Sequence, residues 1–505
     1  MKTKLTQLVA VLLLITMIGS ILVACTKDPE PQETDPQNPA QSDPVDSGSV
    51  SEGPETDSKG YIVDNIPDDL VLPESSIDIL HWNNAKNPEY FVDEENNAGI
   101  IENAIYRRNL LVTNRLGVTL NWIGEAGDYS QRTQFNKVIE TDLSGDCEYD
   151  IISAYSTTIA MAATNGYAMD LISLDKNPND GMIDLKMPWW GKDLTDMATI
   201  NGKLYFATGD ISTNYLLRMY GTFFNKQLIT DAGLESPYDL VDNNKWTVDK
   251  FIELAESYTV DEGSTTPVYG LVHDAITLEA LFYGANLAFV DKDALDMPKL
   301  SDNWNGSDAV TLTDKMAAFC NTASVLNDKN QDESLFASGQ SLFVIYSLDL
   351  AMKDLNDTGL DFGIVPIPKL ESTQKEYSTT LNYKYSLYMI SAGTNIPEMS
   401  AYVLEALASE GYRTVTPQVY DNAMKIRYTT DGRAQKMIDY IRDGVSFEIG
   451  RTFTHMFDYD TYRDIRSALA GTASQNWKGT ADGLLLQFEG QLTDLLAAFG
   501  ISKTE

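Results

Sequence analysis

Residues 149–155 read YDIISAY, a run apolar enough to be buried on both faces of a sheet, and what surrounds it decides the fold. Upstream, IDILHW (77–82) is a β-rich run. It is followed by a helix in which Ile100, Ile101, Ala104, Ile105, Val112 and Leu116 share one face, ended by Gly117. VTLNWI (118–123) forms a second strand; Phe135, Val138, Ile139 and Leu143 mark a second helix, stopped by Gly145 just before the quoted run. Strand, helix, strand, helix, strand predicts a parallel sheet wrapped by helices. The scheme repeats downstream. NGKLYFAT (201–208) opens with a hairpin-type Asn-Gly, LLRMYGTFFN (216–225) is a long β-like run, and Thr247 caps a helix carrying Val248, Phe251, Ile252 and Ala255 on its inner face. GQSLFVIYSL (339–348), DFGIVPIP (361–368) and KYSLYMIS (384–391) read as further strands, with helices at 397–409 and near 480–499. The chain is α/β, in two lobes.

The first 60 residues differ in kind. Lys2 and Lys4 precede an uncharged run, Leu5 to Ala24, the layout of a secretory signal; its length would also just span a bilayer. The run ends in LVAC, which resembles the bacterial lipobox. That resemblance implies removal of residues 1–24 and acylation of Cys25, with more than one chain for stable anchoring. Residues 26–60 hold nine acids, two bases, six prolines and no aromatic side chain, so they bury too little to offset ordering entropy. Residues 25–74 are therefore expected to form an acidic, Pro-rich tether. The absence of an inner-membrane retention signal at Thr26 points to a Gram-positive source.

The formal net charge is −37, of which residues 1–24 contribute +2 and 26–60 contribute −7, leaving −32 on 61–505. Such a body repels nucleic acid and, on composition alone, disfavours polyanionic ligands. Cys147 and Cys320 are expected as free or buried thiols. No G-x-S-x-G, G-x-G-x-x-G or P-loop motif occurs, and His81, His273 and His455 are scattered, so neither a metal site nor a cofactor is expected. DKNQD (328–332) has calcium-loop spacing but lacks the turn glycine, and reads as a polar connector. Paired carboxylates for glycoside hydrolysis carry no specificity among 74 acids.

Several phrases in order resemble one family. Asn201-Gly202-Lys203, Phe224-Asn225-Lys226, Ala232-Gly233, Pro237 and Trp246-Thr247, then LFASGQSLFVIYS, FGIVPIPK and SLYMISAGTNIPEMSAYVLEALAS, are similar to the central signature of the family 1 extracellular solute-binding proteins, the sugar-binding subunits of ABC importers that include maltose-binding protein. The resemblance covers roughly residues 75–410; the segment from Gly411 to Arg451 matches nothing in the pattern. It implies a two-lobe, periplasmic-binding-protein-like α/β fold with a hinge and an interlobe ligand cleft. Lobe 1 would be 75–210 plus 382–430 and lobe 2 would be 215–381 plus 431–505. The chain would cross first near Gly209–Tyr215, return near Asn382–Tyr385, and cross a third time near 430.

The function so implied is a non-enzymatic, lipid-anchored receptor on the extracellular face of the cell membrane. It would be a monomer that binds a small solute, expected to be an oligosaccharide, and delivers it to the permease. Ligand in α/β sheets lies at the carboxyl ends of strands, and sugars need flat apolar faces with planar donors and acceptors. The implied site residues are Trp82, Asn83 and Asn84 after the first strand, Tyr155, Ser156 and Thr157 after the third, and Asp210 at the crossing. Tyr346, Ser347 and Asp349 follow in the second lobe, with Asn382 and Tyr383 at the return. For Trp82, Tyr155 and Tyr346, core packing is an equal reading, and MPWWGKD (187–193) is either a stacking platform or a packed turn. A receptor for a peptide or polyamine, a surface glycoside hydrolase or lyase, and an adhesive lipoprotein remain alternatives.

Overall fold

Strand β1 (Ser76–Trp82) pairs in parallel with β2 (Thr119–Glu125) on one side and β3 (Ile151–Tyr155) on the other, with Ile79 facing Trp122 and Ile151 across the two ladders. These come from a computed structural model that describes residues 55–72, 76–92, 99–175, 182–258, 264, 266–328, 331–355, 357–420, 432–457, 459–474 and 476–501. The signal, Cys25, the expected third crossing near 430 and part of DKNQD lie outside the described residues.

Helix α1 (Ile100–Leu116) covers one face of this sheet. Gly117 ends it at φ 68°, donating to the Thr113 carbonyl, and a Cβ there would lie 2.8 Å from Val71 Cγ1. Ile100 is exposed, and Arg108 takes a place on the inner face instead. Its guanidinium is buried because it donates to the carbonyls of Ile211 (2.9 Å) and Glu89 (3.0 Å). Helix α2 (Arg132–Leu143) buries Phe135 and Ile139, and α3 (Ser156–Thr164) starts directly at the end of β3.

A second sheet holds β4 (Tyr220–Asn225), β5 (Tyr269–His273), β8 (Val325–Asn327), β9 (Ser341–Ser347) and β10 (Phe362–Val365), in the order β10-β4-β9-β5-β8. β9, β5 and β8 run parallel, while β4 is antiparallel to both its neighbours. A ribbon of β6 (Val290–Lys292) and β7 (Pro298–Leu300) stands apart. β11 (Ser386–Ile390) returns to the first sheet, antiparallel to β3, with Ser386 opposite Tyr155. The two sheets are therefore mixed rather than purely parallel, as the alternation alone had suggested.

Two chain segments run side by side between the sheets. Asn382 donates its amide to the Arg218 carbonyl (2.7 Å), Tyr220 to Thr380 (3.0 Å), and Thr208 Oγ1 to Ser386 (2.8 Å). The expected long strand at 216–225 is shorter: Ser212 caps a helix, Thr213–Leu217, by accepting from the Tyr215 amide, and β4 begins only at Tyr220. The Asn201-Gly202 turn forms as expected, with φ of 53° and 67°. The unmatched segment 411–451 contains a π-turn (Gly411–Val415) and a helix (Gly432–Asp443). Helix Trp477–Ala498 closes the chain, its Phe488 stacked at 5.7 Å on Phe289.

The tether is shorter than expected, because residues 55–72 pack on the first sheet's helices. Ile66 and Leu72 are buried, Leu72 donates to the Leu116 carbonyl, and Asp64 receives a fork from Arg115 at 2.9 and 2.8 Å. Cys147 and Cys320 are free thiols.

Candidate functional site

At the carboxyl end of the first sheet the aromatic residues close on one another. Trp82 is 1% exposed, its indole Nε1 donates to Ser386 Oγ (3.0 Å), and Tyr155 meets it edge-on at 5.7 Å. A Cβ on Gly127 would lie 2.8 Å from Trp82 Cβ and 2.7 Å from Phe135 Cδ2, so the ring is held by backbone that approaches this closely. Tyr155 and Trp82 thus pack into the core. Asn83 and Asn84 stand exposed at the rim, where Asn84 Oδ1 accepts from the Gly127 amide (3.2 Å). Beside them a hollow of about 490 Å³ is lined by His81, Asn83, Lys86, Phe91, Trp122 and Gly124, with the Phe91 and Trp122 rings stacked at 6.4 Å.

Ser156 and Thr157 are buried and act as ties. Ser156 Oγ donates to the Tyr383 carbonyl (2.8 Å), and Thr157 Oγ1 lies 3.3 Å from Thr454 Oγ1. Tyr383 is also buried: the Arg451 guanidinium covers its ring at 3.9 Å, and its hydroxyl accepts from Arg466 Nη2 (3.1 Å). Both arginines also donate to Glu279, whose carboxyl they hold below its ordinary range against the opposing effect of burial. Asn382 Nδ2 donates to the Tyr220 hydroxyl (3.1 Å).

Asp210 faces elsewhere. Its carboxylate accepts from Thr416 Oγ1 (2.6 Å) and lines a cavity of about 170 Å³ with Trp189, Tyr215 and Arg442. Burial raises its pKa to about 6, against the hydrogen bond from Thr416 and the charge of Arg442. Gly209, at φ 154°, precedes it; a Cβ there would lie 2.1 Å from the Trp189 carbonyl oxygen. The paired tryptophans are a packed turn, both indoles donating to Glu405, at 3.1 Å from Trp189 and 2.9 Å from Trp190. His81 Nδ1 lies 3.1 Å from the Trp82 carbonyl and His455 Nε2 lies 2.9 Å from Thr164 Oγ1.

The carboxyl end of β9 is charged. Ser347 Oγ donates to Asp349 Oδ1 (2.7 Å), and the same buried carboxylate takes Arg218 Nη1 at 3.2 Å and Lys353 Nζ at 3.3 Å. Tyr346 OH donates to Glu333. Lys353 Nζ also donates to the Lys86 carbonyl (2.8 Å), which brings the end of β9 against the loop that follows β1. Nearby, the Asn87 amide donates to Asn214 Oδ1 (3.3 Å) and Asn214 donates its own amide to Glu89 Oε2 (3.0 Å). Asn83, Ser347 and Asp349 therefore belong to one neighbourhood, and Asp210 does not.

Arg218, Lys86, Lys353 and Lys384 were not singled out from the sequence. The signal was present: Lys86 falls inside HWNNAKN, Lys384 one residue beyond Tyr383, and Lys353 one helical turn beyond Asp349.

A family model described as bacterial extracellular solute-binding protein matches residues 113–412, more than half of the chain. The chain belongs to that family. This solute-binding protein is accordingly a binder and not an enzyme. Its fold is shared by solved structures of low sequence identity. The ABC substrate-binding protein Lmo0181 of Listeria monocytogenes, solved with cycloalternan, aligns at a TM-score of 0.52 and 14% identity, covering 84% of this chain and 100% of that one. The maltose-maltodextrin binding protein of Alicyclobacillus acidocaldarius aligns at 0.53 and 11%, covering 82% and 100%. The cyclic alpha-maltosyl-1,6-maltose binding protein of Arthrobacter globiformis aligns at 0.52 and 14%, covering 83% and 99%. Among curated protein sequences none matches. No helix of the described residues is long and apolar enough to cross a membrane.

Proposed function

We propose that this solute-binding protein is the lipid-anchored receptor of an ABC importer, taking a carbohydrate, of oligosaccharide size, between its two lobes and passing it to a membrane permease. The observation that carries the reading is the apposition of the β1 and β9 carboxyl ends, joined by Lys353 Nζ on the Lys86 carbonyl. That is where an α/β sheet presents its ligand. The carbohydrate is supported by the similar folds, one solved with cycloalternan and one a maltose-maltodextrin binding protein, and by the stacked Phe91 and Trp122 beside Asn83. The lobes are 75–210 plus 382–430 and 215–381 plus 431–505, hinged where segments 207–220 and 379–388 run together. Cys25 carries the lipid, on the extracellular face.

The ligand-binding set is Trp82, Asn83, Asn84, Tyr155, Ser156, Thr157, Asp210, Tyr346, Ser347, Asp349, Asn382 and Tyr383, in two roles. The exposed Asn83 and Asn84 and the half-buried Tyr346 touch the solute; the other members, Ser347 and Asp349 included, hold the strand ends in place. Closure is then favoured by the difference in affinity between closed and open forms.

A thermal-shift panel on the full-length protein in detergent micelles tests the reading. An oligosaccharide at a hundredfold its dissociation constant stabilises by about 2.7 kcal/mol. A panel in which amino acids or polyamines raise the transition and no saccharide does so refutes it.

A further inference from the structure

We propose that the solute is an anionic saccharide, one whose rings carry carboxylate or sulfate groups, selected by Lys86, Lys384 and Arg218; this rests on the carbohydrate-receptor reading above. Four cations converge on the facing strand ends from four separate segments. Lys86 follows β1, Arg218 lies on the crossing before β4, Lys353 follows β9 and Lys384 precedes β11. One buried carboxylate, Asp349, serves Arg218 and Lys353 together. Among the described residues the ammonium groups of Lys86 and Lys384 have neither an ion-pair nor a hydrogen-bond partner, and both residues are exposed. Arg218 is 4% exposed, and its Nε has no hydrogen-bond partner.

Two of the acids that act on these cations have hydrogen-bond partners of their own. Asp128 accepts from the Ser130 amide and hydroxyl, each at 2.8 Å, and Glu333 accepts from the Tyr346 hydroxyl. Asp354 feels Lys353 and Lys86. Lys384, though exposed as a residue, is pushed below its ordinary range first by partial desolvation of its ammonium, then by the like charges of Lys86 and Arg218, outweighing Asp128 and Asp349.

Cations held together with unspent donors favour an anion between them. The chain's −37 does not cancel this, because exposed charges beyond a Debye length of about 8 Å are largely screened at physiological salt. The disfavour toward anions read from bulk composition therefore stops short of the site. Lysine is a point charge suited to a carboxylate or sulfate, whereas selection of a neutral sugar needs planar amides and hydroxyls.

Calorimetric titration of the full-length protein tests this with matched charged and uncharged saccharides: trimers of galacturonate, glucuronate and mannuronate beside their neutral methyl esters, and sulfated disaccharides beside the same disaccharides without sulfate. Binding of at least one uronate or sulfated sugar, about tenfold or more tighter than its uncharged counterpart and weakened by added salt, is the expected result. Which arm binds identifies the acid. The double variant Lys86→Gln/Lys384→Gln, with both positions exposed, is expected to keep the parent melting temperature without sugar and to lose that charge preference. Neutral sugars binding as tightly as charged ones, or a preference unchanged in the double variant, overturns the inference and leaves the receptor reading intact. Failure of every saccharide, with amino acids or polyamines raising the melting temperature, overturns both.

Discussion

The carboxyl ends of β1 and β9 face the same space and are built oppositely. At β1 the large side chains turn inward: Trp82 is spent on Ser386 and Tyr155, and Ser156 on the Tyr383 carbonyl. At β9 and its neighbours the charged groups converge on a single carboxylate and leave ammonium groups over. The first end is apolar and closed, so its residues contribute stability. The second is polar and incompletely paired, so its residues hold donors that a ligand can take. An aromatic residue at a strand end is not a stacking platform unless its face is free, and here the more accessible rings are the exposed Phe91 and the half-buried Trp122 stacked on it.

Trp82→Ala removes a buried indole between α2 and β11, and is expected to cost about 3–5 kcal/mol of folding stability. Denaturant unfolding of the variant measures it. A cost below about 1 kcal/mol would mean that the ring is not core, and the closed end would have to be redrawn. At the other end, Asp349→Ala strands the Arg218 guanidinium at 4% exposure and is expected to cost about 3 kcal/mol. Adding Arg218→Met should restore a large part of that loss. A double variant as unstable as the two singles added together would show that the pair is not coupled.

Asp210 separates the hinge from both ends by its pH dependence. Its carboxyl is raised from 3.8 to about 6 in the folded chain, so the folded form binds the proton more tightly than the unfolded form. Stability from this group is therefore greatest below about pH 4, is lost as pH rises toward 6, and stays lost above it. Two units correspond to about 3 kcal/mol. Asp210→Asn, which keeps an acceptor for Thr416, is expected to be the more stable protein near neutral pH by up to that amount, and equal to the parent in acid. Glu448, raised to about 7, and Asp332, raised to about 6, keep the same trend in the variant with a smaller slope. Unfolding free energies at a series of pH values decide it; a difference between variant and parent that is constant with pH would place the titration elsewhere.

The sequence made the α/β layering legible because periodicity and Gly117 act locally, as they do at Asn201-Gly202 and Thr247. It hid what depends on distant partners. Arg108 was not among the residues assigned to the apolar helix face and is buried because the carbonyls of Glu89 and Ile211 reach it from other segments. Residues 55–72 looked like tether because Asp64 finds Arg115 only after folding. At the candidate site, residue types at strand ends named loops that the fold brings together at β1 and β9, but not which side chains turn inward. Trp82 and Asn83 are consecutive, and only the α2 packing at Phe135 and Gly127 fixes which one is buried. Lys86 and Lys384 lie beside residues named from the sequence, but nothing local showed that Arg218 and Lys353 come near them from the second lobe's strands.

Lys353 joins the two ends through the Lys86 carbonyl and Asp349 Oδ2, yet its side chain is 39% exposed. An exposed ion pair is worth little, because water competes for both partners and a long side chain must be held still. Lys353→Met keeps most of the aliphatic stem and is expected to change unfolding stability by under about 1 kcal/mol. If the β9 end serves a ligand rather than the fold, the same substitution should act mainly on the lobes' approach. Small-angle scattering of the ligand-free variant should then show a larger radius of gyration at nearly unchanged stability. A stability loss as large as that of Trp82→Ala would make the charged end structural after all, and the contrast between the two ends would fail at the residue that connects them.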